Sequence, residues 1–339
     1  MTKINFKRFM KGFTKMYGYN IYHEEQMSML IKSVQENKNS PAYIFNGEKG
    51  LKRHVCAQLL ACALVCENMS QAPCGTCPEC IRAKAETHPD ISYISAPKDR
   101  KTIGVDAIRT LSDDCYIKPF SKGKKVYIIE GDELTEAAQN AFLKTLEEPP
   151  EYAVFIIISS DLSNLLDTVL SRCTVTRFPN LSTDAIKDII RKDYPEEKRV
   201  DFLASFSEGN PGRLESIISD FDFEKMRFSA LEHLSMLLSD RLYSAYTVCD
   251  FLEKNREQAE DILNLWILYL RDIILVSEGI CDKVINADLL DKLKILATRT
   301  SEKRLAFAVE RITLALKMSA RFVNIRAIAL NLALTIKKS

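Results

Sequence analysis

The sequence lacks a net charge of either sign, and it lacks long hydrophobic runs. The 339 residues carry a formal net charge of +1, so no overall field attracts nucleic acid or membranes. The longest apolar stretches, such as AVFIIIS at 153–159, are far too short to span a bilayer. The basic segment 1–16 lacks the apolar run and the cleavage site of a secretory signal. These absences predict a soluble, cytoplasmic protein that does not contact a membrane.

Proline and glycine are scarce in the last third of the chain. From about residue 225 to residue 339 there is no proline and a single glycine, Gly279, while leucine-rich segments recur with helical period. Earlier in the chain, continuously apolar segments such as AYIF at 42–45 alternate with helical segments, which is typical of a parallel sheet covered on both faces. The sequence therefore predicts an α/β domain at 1–180, a small helical domain at 181–222 and a larger helical domain at 223–339.

Six of the ten cysteines lie within residues 56–80, which favours a metal site over a disulfide framework. Four of them have the spacing C-x7-C-x2-C-x2-C on a short loop that contains proline and glycine. These candidate ligands are Cys66, Cys74, Cys77 and Cys80. Four thiolates predict a structural, tetrahedral Zn²⁺ site. Cys62, one helical turn before Cys66, is the main rival ligand, and His88 is interpreted as a loop residue.

The segment GEKGLKRH at 47–54 lies between a strand and a helix, where a phosphate-binding loop belongs. Aligned on Gly47 and Gly50, it has Lys52 at the third glycine, Arg53 at the lysine and His54 at the hydroxyl that binds Mg²⁺. Arginine keeps the charge without the compact ammonium group, and histidine does not replace an oxygen ligand of Mg²⁺. The loop therefore predicts weak or absent ATP binding. The alternative is a loop that never bound phosphate.

A second element of an ATPase is also degraded. The apolar segment VYII is followed by Glu130, which stands at the position of a metal-binding carboxylate. The next residue is Gly131, where a catalytic glutamate is expected. Asp132 and Glu133 are interpreted as a solvated turn. The two losses together indicate an ATPase scaffold that no longer hydrolyses ATP.

Several longer motifs carry a family resemblance. NAFLKTLEEPP at 140–150 is similar to a signature of clamp-loader AAA+ subunits, and Ser171-Arg172-Cys173 matches the S-R-C motif of that family. GNPGR, ending at Arg213, is similar to the motif of its lid domain, and the four-cysteine module is also typical of it. The chain thus resembles the delta-prime family of the bacterial DNA polymerase III clamp loader.

This resemblance implies an AAA+ domain with a zinc-binding insert, a helical lid and a helical collar. It implies a hetero-pentameric ring with gamma/tau-type and delta-type subunits, which loads the sliding clamp onto primed DNA. ATP is bound between neighbours in such a ring, so a subunit that has lost its own site still completes the next one. The resemblance makes Arg172 an arginine finger acting in trans, and we expect no catalysis by the chain itself. The simpler interpretation of Arg172 is a surface arginine paired with a carboxylate.

Three other functions are weighed against this one. An ATP-hydrolysing gamma/tau-type subunit requires an intact G-x-G-K-[ST], which is absent. A zinc-dependent nucleic-acid deaminase matches His23-Glu24-Glu25 and the P-C-x-x-C at 73–77, but it leaves two of the four clustered cysteines unexplained. Binding of DNA alone has only the short basic runs at 98–101 and 122–125.

Overall fold

The computed structural model describes residues 22–239, 243–319 and 324–337. The basic N-terminal segment considered above lies outside these residues. The chain divides into two compact units, Met1–Leu181 and Ser182–Ser339, which we call the sheet unit and the helical unit. Within the described residues, no helix is long and apolar enough to cross a membrane.

A five-stranded parallel sheet forms the centre of the sheet unit. Its strands are β1 (Ala42–Asn46), β2 (Ile91–Ile94), β3 (Lys125–Glu130), β4 (Ala153–Ser159) and β5 (Thr174–Arg177). They are hydrogen-bonded in the order β2-β3-β4-β1-β5, and every pairing is parallel. All residues of β4 are buried, because it is the middle strand of a sheet that is covered on both faces.

Helices cover both faces of this sheet. The sheet unit contains α1 (Glu24–Gln35), α2 (Arg53–Val65), α3 (Pro78–Lys84), α4 (Val105–Cys115), α5 (Glu136–Glu147) and α6 (Asp167–Leu170). One apolar cluster packs α1 and α2 against Val154 and Ile156 of β4. A second cluster packs α4 and α5 against Phe155 and Ile157 on the opposite face. Successive residues of β4 thus enter different cores, which explains its uninterrupted hydrophobic run and confirms the predicted α/β class.

The helical unit contains no strand within its described residues. Its helices are α7 (Thr183–Asp193), α8 (Val200–Phe206), α9 (Pro211–Ser219), α10 (Phe223–Leu237), α11 (Tyr243–Lys254), α12 (Ala259–Ser277), α13 (Leu290–Arg299), α14 (Glu302–Ser319) and α15 (Ile325–Lys337). The longest, α12, carries Trp266, the only tryptophan of the sequence. The Trp266 side chain is fully buried, and its Nε1 donates a hydrogen bond of 2.7 Å to the carbonyl oxygen of Ala230.

Arginine contacts join the two parts of the helical unit that the sequence predicts as lid and collar. The guanidinium of Arg227, on α10, is fully buried and lies 3.9 Å from the ring centroid of Phe202, on α8. It also donates a hydrogen bond of 2.8 Å to Asp288. Arg199, in the predicted lid, pairs with Glu224 at the start of α10. The two parts therefore pack within one compact unit, and their separation into two domains at 222 stays a prediction.

We expect Arg227→Ala to lower the free energy of unfolding of the helical unit by about 3 kcal/mol, because it leaves a cavity and deprives the buried Asn286 of its donor. Denaturant unfolding followed by Trp266 fluorescence measures this loss. Lys225→Ala is the matched control, since Lys225 is on the same helix with a side chain 82% exposed and paired only with Asp222. The control should change stability by less than about 0.5 kcal/mol. Equal unfolding midpoints for the two variants would contradict the assigned role of Arg227.

Candidate functional site

Four cysteine side chains converge where α2 ends. Cys66 follows the last residue of α2, Cys77 is the N-cap of α3, and Cys80 lies in the first turn of α3. The Sγ atoms of these three residues and of Cys74 all lie within 4.8 Å of one another. All four thiols are free of disulfide bonds. The structure thus brings together the four residues that the sequence predicts as ligands.

The geometry of this cluster fits a tetrahedral metal ion. The Sγ atoms of Cys74 and Cys80 are 3.9 Å apart. A tetrahedron with Zn–S bonds of about 2.3 Å has an edge of about 3.8 Å. The backbone amides of Cys74, Cys77 and Cys80 each donate to a sulfur of the cluster at 3.4 Å, which favours the thiolate form. Although burial acts to raise it, hydrogen bonds from Thr76 and Cys77 lower the pKa of Cys74 to about 6. Four protein sulfurs would leave a bound zinc no open position for a substrate.

The structure gives less support to Cys62 as a ligand and to the deaminase interpretation. Cys62 contacts the thiol of Cys80 from α2, but it lies outside the group of four sulfurs. His23, which the deaminase interpretation needs as a ligand, has its Nε2 3.1 Å from the carbonyl oxygen of Leu51 and packs its ring against Phe178. Within the described ranges, no histidine joins the four thiols.

A series of polar contacts links the cysteine cluster to a loop at the edge of the sheet. Glu79 of α3 lies 2.8 Å from Nε2 of the buried His88. Nδ1 of His88 accepts a hydrogen bond of 3.0 Å from the amide of Asp90. The carboxylate of Asp90 accepts hydrogen bonds of 2.7 and 2.8 Å from the backbone amides of Phe120 and Ser121. His88 is therefore a loop residue, as interpreted from the sequence, but it also connects the cluster to the rest of the sheet unit.

The loop held by these contacts exposes an aromatic side chain. Phe120 is 82% exposed, although its own amide is fixed by Asp90. Gly123, at the end of the same loop, packs so closely on α2 that a Cβ there would lie 2.9 Å from the Cα of Val65. The loop is thus braced from one side by α2 and from the other by the series of contacts that begins at the cysteine cluster.

The loop between β1 and α2 keeps a backbone suited to glycine. A Cβ at Gly47 would lie 2.4 Å from the carbonyl oxygen of Phe178, so the close approach of the chain excludes larger residues. Lys52 is the N-cap of α2 and has a φ of +57°, in the left-handed region. A lysine is strained there by roughly 1–2 kcal/mol, whereas glycine adopts the conformation readily. Lys52 therefore stands where the backbone still favours glycine.

The next two side chains contact the protein itself. Arg53 is only 5% exposed, and its Nη1 lies 3.5 Å from the carbonyl oxygen of Phe45. His54 has its Nε2 3.1 Å from Oε1 of Glu130, so the residues at the hydroxyl and the metal positions contact each other. Burial and the nearby Glu133 carboxylate raise the pKa of Glu130 to about 7. Burial and the neighbouring carboxylate therefore disfavour the charged form of Glu130.

Gly131, directly after β3, is required by packing. A Cβ at this position would lie 2.6 Å from Cγ2 of Ile157 and 3.0 Å from the carbonyl oxygen of Ile158, both on β4. A glutamate at residue 131 would need β4 to move. The position of the catalytic carboxylate is thus closed by the backbone as well as changed in sequence.

The two acidic residues that follow are structural. Asp132 accepts hydrogen bonds from the hydroxyl of Ser159 at 2.8 Å and from the amide of Ser160 at 2.9 Å. Glu133 accepts a hydrogen bond of 2.6 Å from the backbone amide of Ala96. The interpretation of these residues as a solvated turn was wrong, because their partners come from segments distant in the sequence.

Arg172 lies just after α6 and contacts the end of α5. Its Nη2 donates to Oε1 of Glu147 at 2.5 Å, and its Nη1 donates to the carbonyl oxygen of Thr168 at 2.8 Å. The Arg172 side chain is 33% exposed. Glu147 belongs to the LEEPP segment, so the two family motifs meet in this ion pair. The sequence analysis considered the two motifs separately and did not single out Glu147. Its position in the LEEPP motif could have indicated it.

The contacts that the structure describes for Arg213 lie within the helical unit. Its guanidinium donates to Glu208 at 2.8 Å and to Asp261 at 2.9 Å, and it lies 4.7 Å from the ring centroid of Phe206. These contacts join the predicted lid to α12. They give the arginine of the GNPGR motif a structural role.

Comparison with known proteins identifies the family. A family model described as "DNA polymerase III, delta subunit" matches residues 22–182, and one described as "DNA polymerase III, delta subunit, C terminal" matches residues 222–336. The DNA polymerase III subunit delta' of Bacillus subtilis is 26% identical over 92% of this chain and 95% of its own length. That of Escherichia coli is 28% identical over 81% of this chain and 82% of its own. The chain belongs to the delta-prime family of DNA polymerase III subunits.

A gamma/tau relative matches a shorter region. The DNA polymerase III subunit gamma/tau of Mycoplasma genitalium is 31% identical over 63% of this chain but over 36% of its own length. The delta-prime relatives, in contrast, align along most of both chains. The predicted family is thus confirmed, and the gamma/tau alternative has less support.

We expect the purified protein to contain about one Zn²⁺ per chain, and Cys77→Ser with Cys80→Ser to release it. Without the metal, α3 no longer holds Glu79, so amide hydrogen exchange at Phe120 and Ser121 should accelerate by roughly tenfold or more. Metal analysis and exchange measured by mass spectrometry test both statements. Cys281→Ser, at an exposed cysteine, is the control and should change neither result. Zinc retention by the double variant would contradict the assignment.

Lys52→Gly should raise the free energy of unfolding by about 0.5–1 kcal/mol, because relief of backbone strain outweighs the greater flexibility of the unfolded chain. Chemical denaturation followed by circular dichroism measures the change. Lys49→Gly is the control in the same loop. Lys49 has no positive φ, so the same substitution should lower stability. The same sign for both variants would refute the strain assigned to Lys52.

Proposed function

We propose that the chain is a non-hydrolysing subunit of the DNA polymerase III clamp loader and supplies Arg172 to the ATP site of a neighbouring subunit. One contrast carries this proposal. In the chain's own phosphate loop, Arg53 is buried and His54 is in contact with Glu130. Arg172 is partly exposed on the same unit, and its carboxylate partner Glu147 is about half exposed.

The chemistry of phosphoryl transfer explains what Arg172 would contribute. As the γ-phosphoryl group leaves, negative charge is spread over its oxygens, and a fixed guanidinium stabilises that charge. The planar fork of arginine offers two parallel N–H groups to phosphate oxygens. The Arg172 side chain is 33% exposed, so its guanidinium is accessible to a phosphate in a subunit interface.

The proposed partners are gamma/tau-type and delta-type subunits, which would form a five-membered ring with this chain. Contacts with the sliding clamp and with primed DNA would come through that ring. The relatives named DNA polymerase III subunit gamma/tau have intact ATP sites in this proposal, and the delta-prime chain completes one of them. The four cysteines are proposed to hold Zn²⁺ as a structural ion, and no ATP is proposed to bind to this chain.

Hydrolysis by the chain itself is the second candidate, and the site argues against it. Three obstacles act independently: the buried Arg53, the contact between His54 and Glu130, and the steric exclusion of a side chain at Gly131. ATP turnover by the isolated, unmodified chain would favour the gamma/tau interpretation.

Arg172→Ala should leave assembly of the ring intact and should lower its ATPase activity stimulated by DNA and clamp several-fold. The loss should be smaller than the roughly 10³–10⁵ found for arginine fingers in simpler systems, because other interfaces keep their own arginines. Arg172→Lys should rescue poorly, since a point charge does not reproduce the fork. The measurement is steady-state hydrolysis by a reconstituted complex, with assembly checked by size-exclusion chromatography.

Arg109→Ala is the matched control for this experiment. Arg109 is an arginine of the same unit with a side chain 72% exposed, and it lies 3.9 Å from Asp106. Its removal should leave hydrolysis unchanged. Normal stimulated hydrolysis in a fully assembled Arg172→Ala complex would reduce Arg172 to an ordinary surface arginine.

A further inference from the structure

We infer that Glu147 is a positioning residue for Arg172: its carboxylate fixes the guanidinium so that the remaining N–H groups face a phosphate of the neighbouring subunit. This inference rests on the proposed function of Arg172. The motif alone does not show what Glu147 does. A positioning role explains why the LEEPP and SRC segments are in contact.

The hydrogen bonds of Arg172 leave part of the fork available. A guanidinium has five N–H donors. Nη1 directs its two toward the carbonyl oxygen of Thr168 at 2.8 Å and the hydroxyl of Ser171 at 3.2 Å, and Nη2 uses one for Glu147 at 2.5 Å. Within the part of the chain that the structure describes, neither the Nε–H nor the second Nη2 hydrogen has an acceptor. These two donors remain available to the oxygens of a phosphate.

Glu147 is itself held in place by the fold. It is the last residue of α5, and Phe142 and Leu146 of that helix are buried in the core of the sheet unit. Pro149 and Pro150 follow after Glu148, so the helix cannot continue and the chain direction is fixed. The carboxylate therefore projects from a rigid helix end, where the partial negative charge of the helix also attracts the arginine.

The ion pair contributes orientation more than stability. The side chains of Arg172 and Glu147 are 33% and 49% exposed, and pairs of that kind add little to the stability of a fold. An unrestrained arginine would sample several rotamers and would lose that freedom when it meets the phosphate. A pre-oriented cation avoids this cost in the transition state, so removal of Glu147 should affect turnover while the fold is retained.

The test measures ATP hydrolysis by the reconstituted ring. Glu147→Ala should lower kcat by roughly three- to tenfold through lost pre-orientation, with less than about a twofold change in KM for ATP, since the neighbour's loop binds the nucleotide. Glu147→Gln keeps a hydrogen-bond acceptor and should restore most of kcat. Glu148→Ala removes the adjacent exposed carboxylate and should have no effect.

A double variant separates positioning from an independent role. In an Arg172→Ala background, Glu147→Ala should cause no further loss, because the carboxylate acts only through the arginine. A further loss of equal size, an increase in kcat, or full activity of Glu147→Ala beside a defective Arg172→Ala would each overturn the positioning role. Normal activity of Arg172→Ala would instead refute the proposed function on which the inference rests.

Discussion

The parallel direction of the strands determines where the functional groups of the sheet unit meet. Because β1, β3 and β4 run the same way, their carboxyl ends share one edge, with Asn46 opposite Ser159 and Glu130 opposite Ile158. The phosphate loop and the acidic turn both leave from this edge. The chains there are so close that Gly47 and Gly131 have no room for a Cβ. Crowding at this edge thus restricts which side chains the two loops can carry.

Patterns within short segments made much of this architecture predictable from the sequence. Continuous apolar strands alternating with helices predicted the parallel sheet, and the spacing of four cysteines predicted a cluster that the fold indeed assembles. Contacts between distant segments were not predictable in this way. The sequence placed Arg53 at a phosphate site, but burial of its side chain depends on the packing of α2. Asp132 was interpreted as solvated because its local sequence contains no partner. Its partner, Ser159, lies at the end of another strand.

The arginines of the two units have different surroundings. Arg213 and Arg227 join segments of the helical unit and are held by aromatic rings and carboxylates there. Such contacts explain why the predicted lid and collar pack as one compact unit. Arg172 also meets a carboxylate, but one third of its side chain remains exposed. Exposure and the number of partners distinguish these arginines, whereas their residue type does not.

The packing at Gly131 has an evolutionary consequence. A glutamate introduced there alone would collide with β4 and cost stability before it could assist any reaction. A carboxylate at residue 131 would therefore require changes on both β3 and β4. Packing against β4 thus favours the retention of glycine at residue 131 in descendants of this chain.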